Sequence, residues 1–177
     1  MGAKKLADTS PLRQLLDRGI DALIERARRD PYEHLPGYME RYWLLRPRSL
    51  LPFAGRTALG RRYTVGIRLH RILRSDDARA LHDHPWWSCS ILLRGRYTEI
   101  VPVRQVQHPL LDRSVNQHFI RRPFRPVFRR ANTRHRLEIE PGQAVWSLFI
   151  HGGRGRAWGF YPPQGWIAAG DYLRGQD

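Results

Sequence analysis

Leu81-His82-Asp83-His84-Pro85 is the stretch on which the reading of this chain turns. Residues two apart on an extended strand face the same side, so both imidazoles can converge on one ion. Neutral imidazole suits zinc, iron, nickel and copper alike, so the pair does not choose a metal. A third ligand has to come from a distant strand. His135, in Asn132-Thr133-Arg134-His135-Arg136-Leu137-Glu138, follows a turn-like segment and opens a strand, and is the candidate. Each histidine alone fits an ordinary core or surface position; it is the set, in this order, that points to a metal.

Outward from this stretch the chain has the period of strands. Tyr63, Val65, Ile67 and Leu69 alternate with other residues. Ser88–Leu93 and Arg96–Val103 flank Gly95 as two strands around a turn. Further short strands are expected at Gln117–Ile120, Pro126–Arg129, Arg134–Glu140, Ala144–Ile150 and Ala157–Tyr161, with a turn at Pro141-Gly142. Short strands punctuated by Gly and Pro predict a sandwich or barrel.

The N-terminal part reads differently. Ser10 is a suitable N-cap and Pro11 a suitable first helical residue. Leu12, Leu15, Leu16, Ile20, Leu23, Ile24 and Ala27 recur at helical spacing, predicting a helix over 10–30 that Asp30-Pro31 ends. A second short helix is expected over 36–45 and a connector over 47–61. The organisation expected is a helical segment and connector over 1–60 and a β-barrel over 61–177, forming one compact domain.

Composition sets the outer bounds. The 177 residues suffice for one core, and 41% apolar with 11% aromatic residues is globular. No apolar run reaches the roughly 18 residues of a membrane span. The basic N-terminus lacks the apolar stretch of a secretory signal, and a single cysteine, Cys89, excludes an internal disulfide. A cytoplasmic protein is therefore expected. The net charge of +15 is almost wholly arginine, since Lys4 and Lys5 are the only lysines. Such a surface attracts phosphate, nucleic acid or acidic partners, although an arginine-rich composition by itself gives the same count.

The pattern of His82 and His84, then Gly95, then His135 resembles the cupin superfamily. The common cupin glutamate ligand is absent after the histidine pair, where Trp87, Ser88 and Cys89 stand. That departure resembles the three-histidine subset, of which the cysteine dioxygenase-like thiol dioxygenases are members. The stretch from His82 through Cys89, Leu92-Leu93, Gly95 and Glu99 looks like their first motif, and His135-Arg136-Leu137-Glu138 like their second. The late Trp158-Gly159-Phe160 segment also resembles uncharacterised cupins of bacteria and their phages. The resemblance covers roughly residues 63–161. It implies a mainly β fold, a single jelly-roll barrel with an N-terminal helical cap, and often a homodimer. In thiol dioxygenases a cysteine at the place of Cys89 can crosslink to a tyrosine; the matching strand here offers Phe149 and His151 instead.

The resemblance implies one divalent metal on His82, His84 and His135, Fe(II) favoured over Zn(II) or Ni(II), and an oxidoreductase of the non-haem iron dioxygenase type acting on a small molecule. Iron would serve an oxygenase; zinc would serve a hydrolase, an isomerase or a structural site. Glu99 and His151 are candidate catalytic groups. Arg68, Arg71, Trp87 and Cys89 are candidates for substrate contact. Asp83 is expected to face away from the metal, as a partner for an imidazole or an arginine. The competing readings are a binding module without turnover, holding a metal, a small ligand or nucleic acid on its arginines, and a metal-free barrel whose histidines only pack.

Overall fold

A computed structural model describes residues 10–49, 64–76, 80–102 and 116–175. Helix α1 (Pro11–Arg28) begins as the sequence predicts, with the Arg13 backbone N–H donating to Ser10 Oγ at 3.3 Å. Its C-terminal half buries Ile20, Ile24 and Ala27 against Tyr42, Leu69, Leu93 and Trp146. Each fully buried aliphatic side chain of this kind contributes about 1.5–3 kcal/mol. The N-terminal half departs from expectation: Leu12, Leu15 and Leu16 are exposed.

The expected helix over 36–45 does not form. The chain instead makes β1 (Pro31–Leu35), a turn in which Gly37 has φ +67°, and β2 (Met39–Ser49). The reason lies in burial. Tyr42 packs beneath α1 while its neighbour Trp43 faces the other side of the sheet, and both are buried. A strand covered on both faces loses its period of two and cannot be told from a buried helix by spacing. Of the expected connector, residues 50–61 and the boundary at 60/61 lie outside the described residues, and Pro47 belongs to β2.

The strands that follow are β3 (Thr64–Ile72), β4 (Leu81–His82), β5 (Ser88–Arg94), β6 (Tyr97–Pro102), β7 (Asn116–Arg121), β8 (Pro126–Arg129), β9 (Arg136–Glu138), β10 (Val145–Gly152), β11 (Gly159–Tyr161) and β12 (Ile167–Ala168). A one-and-a-half-turn helix, α2 (Ala169–Arg174), which the sequence reading missed, closes the described chain. Among the described residues all pairings are antiparallel, in three sheets ordered β1-β2-β3-β10-β5-β8, β12-β11-β4 and β7-β6-β9. The mainly β architecture with a small N-terminal helix is thus the one expected.

Gly95 turns the chain from β5 to β6 at φ +81°, and a Cβ there would lie 2.9 Å from the Ala144 carbonyl oxygen. The register then decides which side chains share a face. Arg68 of β3 sits opposite Phe149 of β10, which sits opposite Ser90 of β5; Gly66, His151 and Ser88 form the next such row. These residues, with His70, Ser147 and Arg129, make a buried polar face opposite the one that α1 covers.

Candidate metal centre

Strand β4 ends at His82, so the alternation expected for His82 and His84 describes only half of how they are placed. His82 and His135 exchange backbone hydrogen bonds at 2.9 Å in both directions. The His84 N–H donates instead to the Ala131 carbonyl at 3.1 Å. Between them Asp83 turns away, fully buried. Its carboxylate accepts from the Gly159 N–H at 2.9 Å, the Tyr161 hydroxyl at 2.8 Å and the Arg156 guanidinium at 2.5 Å. Asp83 therefore serves an arginine, a tyrosine and a backbone amide, and ties the histidine segment to β11.

One ring nitrogen from each of His82, His84 and His135 lies within 4.8 Å of the others, and the Nε2 atoms of His84 and His135 are 2.9 Å apart. Two nitrogens bound to one ion at about 2.0–2.1 Å have that order of separation. His135 Nδ1 lies 2.9 Å from Glu99 Oε1. An ionised carboxylate only accepts, so the His135 proton sits on Nδ1 and its Nε2 lone pair is free for a metal. Burial, then the neighbouring His135, pushes His82 down to about 4. Burial likewise carries His84 and His135 below their ordinary value. Three neutral imidazoles at neutral pH are the state a metal requires. His82 Nδ1 is buried without a hydrogen-bond partner among the described residues, 3.9 Å from Asp76 Oδ2. The donor set fits a divalent metal.

Glu99 is buried on β6 at 1% exposure. Its carboxylate accepts from Arg129 Nε at 2.5 Å and Arg121 Nε at 2.6 Å besides His135. Burial alone would raise its pKa, but the His135 hydrogen bond and the Arg129 charge outweigh this and hold it well below the usual carboxylate range. Arg129 continues to Ser90 Oγ at 3.0 Å and the Tyr97 hydroxyl at 3.3 Å. Sequence reading found Glu99 but not Arg129 and Arg121, which sheet register brings near, nor Asp76, which accepts from the Leu137 N–H at 2.6 Å beyond the end of β3.

Arg68 and His151 share a cavity of about 290 Å³ with Tyr32, Trp43, Trp86 and Arg154. The Arg68 guanidinium carbon lies 4.5 Å from the Trp43 ring centre, 4.7 Å from Tyr32 and 5.2 Å from Trp86. Arg68 is 5% exposed and has no carboxylate partner among the described residues; burial lowers its pKa to about 10. His151 Nδ1 donates to the Gly152 carbonyl at 2.8 Å, which leaves Nε2 an acceptor; burial holds the ring at about 4. Arg68 Nε, His151 Nε2 and Trp86 Nε1 are all buried and unpartnered among the described residues.

The remaining candidates lie elsewhere. Arg71 faces the α1 side of β3, paired with Glu40 at 3.0 Å and 5.8 Å above Trp146. Cys89 lies between the buried Ser88 and Ser90 on β5 and so faces away from the polar interior. Trp87 stacks on Phe128 at 5.9 Å. Of the other histidines, His70 stacks on Phe149 in the interior, His34 Nδ1 accepts from the Arg41 N–H, and His118 is exposed; His108 lies outside the described residues. A second cavity of about 350 Å³, largely apolar, touches His82 and is lined by Tyr38, Trp158, Phe160 and Leu173.

No protein-family model matches the chain, and no curated protein matches it. Solved structures do. Oxalate decarboxylase from Bacillus subtilis is 9% identical, with a TM-score of 0.47, and the match covers 82% of this chain and 31% of that one. A structure described with DMSP lyases is 12% identical, with a TM-score of 0.42, over 66% of this chain and 48% of that one. The 7S globulin of Momordica charantia is 6% identical, with a TM-score of 0.49, over 75% and 35%. The chain therefore spans less than half the length of each of these proteins, and at such identities the likeness is one of fold. Among the described residues, no helix is long and apolar enough to cross a membrane.

Proposed function

We propose that this chain is a metal-binding cupin and a metal-dependent enzyme of the non-haem iron oxygenase type, close in kind to the thiol dioxygenases, acting on a small anionic molecule. The observation that carries the reading is the convergence of three neutral imidazoles, with His135 oriented by a buried carboxylate and no carboxylate among the ligands themselves. A bound Fe(II) would supply open coordination positions for a substrate and dioxygen together. His82, His84 and His135 would hold it, and Glu99 keeps the His135 proton on the far nitrogen.

Arg68 and His151 supply the substrate end of this reading. A buried guanidinium with no carboxylate partner among the described residues favours an anionic group, which it can grip in two places. His151 Nε2 would accept a hydrogen bond from a donor on the same molecule. The aromatic walls of Trp43, Trp86 and Tyr32 exclude water and confine the guanidinium.

The test begins with metal analysis of untagged protein, then oxygen uptake by the Fe(II)-loaded protein over a panel of small thiols with and without a carboxylate. Uptake is expected with carboxylate-bearing thiols, with a KM raised at least tenfold in Arg68→Gln. A loaded protein inert to the whole panel removes the thiol substrate. A protein that takes up no stoichiometric metal removes the enzyme.

A further inference from the structure

The metal site leaves the arginine excess unexplained, and the arginines are not spread evenly over the fold. Residues 116–137 contain seven arginines and no acidic residue. This segment runs through β7, a turn and β8 and on to the start of β9, and β7 and β8 are edge strands of their sheets. Two of the seven, Arg121 and Arg129, are spent on Glu99. Arg122, Arg125, Arg130 and Arg134 are exposed, and none has an ion-pair partner among the described residues.

Arginines and prolines on an edge strand also serve to prevent pairing with another sheet. That account does not cover the aromatics between them. Phe124 is 39% and Phe128 65% exposed, in the run Arg122-Pro123-Phe124-Arg125-Pro126-Val127-Phe128. Phe128 has one ring face backed by Trp87, nearly parallel at 19°, which leaves the other face open. Phe124 has φ +61°, the one non-glycine residue with positive φ among the described residues, and its N–H is pinned to the Leu92 carbonyl at 2.9 Å. A bulky side chain in the left-handed region is strained, and here the strain holds an aromatic ring out rather than packing it in.

We propose that the segment from the end of β7 through β8 docks single-stranded nucleic acid, with Phe124 and Phe128 as stacking platforms for bases and Arg122, Arg125 and Arg130 as contacts to phosphates. Flat rings alternating with unpaired guanidiniums are what an unpaired strand offers partners for, since every base has a stacking face and every linkage a charge. A second copy of the chain fits poorly, because a two-fold contact would set one arginine strip against another. A duplex hides its bases from such a surface.

The experiment is fluorescence anisotropy of the full-length protein with labelled dT and U 12-mers, an abasic strand of the same length, a 12-base-pair duplex and polyglutamate. The expected result is binding to the 12-mers that weakens with salt, and weaker binding to the other three probes. Phe124→Gly and Phe128→Ala should each weaken 12-mer binding about fivefold or more while leaving the abasic strand unchanged. Glycine suits the backbone at position 124, so Phe124→Gly should melt at or above the parent temperature. The Arg122→Ala/Arg125→Ala variant should lower the slope of log affinity against log salt by about 1.4. The proposal is overturned by absence of 12-mer binding at low salt, by equal binding of the abasic strand or the duplex, or by 12-mer affinity unchanged in both phenylalanine variants. Polyglutamate binding as tight as the 12-mers would point to an acidic protein instead and also overturn it.

Discussion

Replacing Glu99 by glutamine separates two roles that this one carboxylate holds. Glu99 and Arg129 are 1% and 3% exposed, and their ion pair is 2.5 Å long. Glutamine keeps the size and can still accept from His135 Nδ1, but it leaves the Arg129 charge buried and uncompensated. Breaking one half of a buried pair costs about 3–5 kcal/mol. For a chain of this length that corresponds to a fall in Tm of roughly 6–20 °C. At the metal, a neutral acceptor makes the His135 ring a weaker ligand, and losing such a partner costs about 10- to 100-fold in affinity. Calorimetric titration with Zn(II) reads the second effect and scanning calorimetry of the metal-free protein reads the first. The double variant Glu99→Gln/Arg129→Met removes both charges, so it should recover most of the lost stability and none of the lost affinity. Zn(II) affinity within twofold of the parent in Glu99→Gln would refute the orienting role. A double variant as unstable as the single one would refute the buried-charge account of the stability.

Acid should unfold the metal-free protein early. His82 and His151 sit at about 4 when folded against 6.5 ordinarily, because burial disfavours their charged form. Between those values the unfolded chain binds protons that the folded one does not, so stability is full above about pH 6.5 and is lost as pH falls towards 4. Each group removes about 2 kcal/mol by pH 5. Urea titrations of the metal-free protein at pH 7 and pH 5 check this, and equal midpoints would count against it. Asp83→Asn should cost about 2–3 kcal/mol, since three donors converge on the carboxylate and one is a guanidinium. Hydrogen exchange at the Gly159 amide should speed up while the amides of β3 stay protected; unchanged exchange at Gly159 would remove the tie to β11.

What could be read in the sequence was what residue type and short spacing encode. The helix start at Ser10-Pro11, the turns at Gly95 and Pro141-Gly142, and the three histidines are of this sort. What depends on register could not be read. Ser88, Cys89 and Ser90 show the boundary. Their alternation says that Cys89 faces one way and the serines the other, but only the buried Arg129 on Ser90 says which side is the interior. Arg68 and His151 are a stronger case. They lie 83 positions apart in sequence and adjacent in space, because Gly66 pairs with His151. A Cβ at position 66 would come within 2.7 Å of His151 Nε2, so the glycine there makes room for the ring. The sequence singles out Arg68 and His151 separately as candidates, but nothing in it puts the two in one cavity. Together they leave, among the described residues, a cation without a carboxylate partner and an imidazole nitrogen without a hydrogen-bond partner, walled by aromatic rings. Burying an arginine is costly, and among the described residues the ring faces of Trp43, Tyr32 and Trp86 are what offsets that cost, so an anionic molecule entering the cavity would meet a guanidinium already desolvated and held in place.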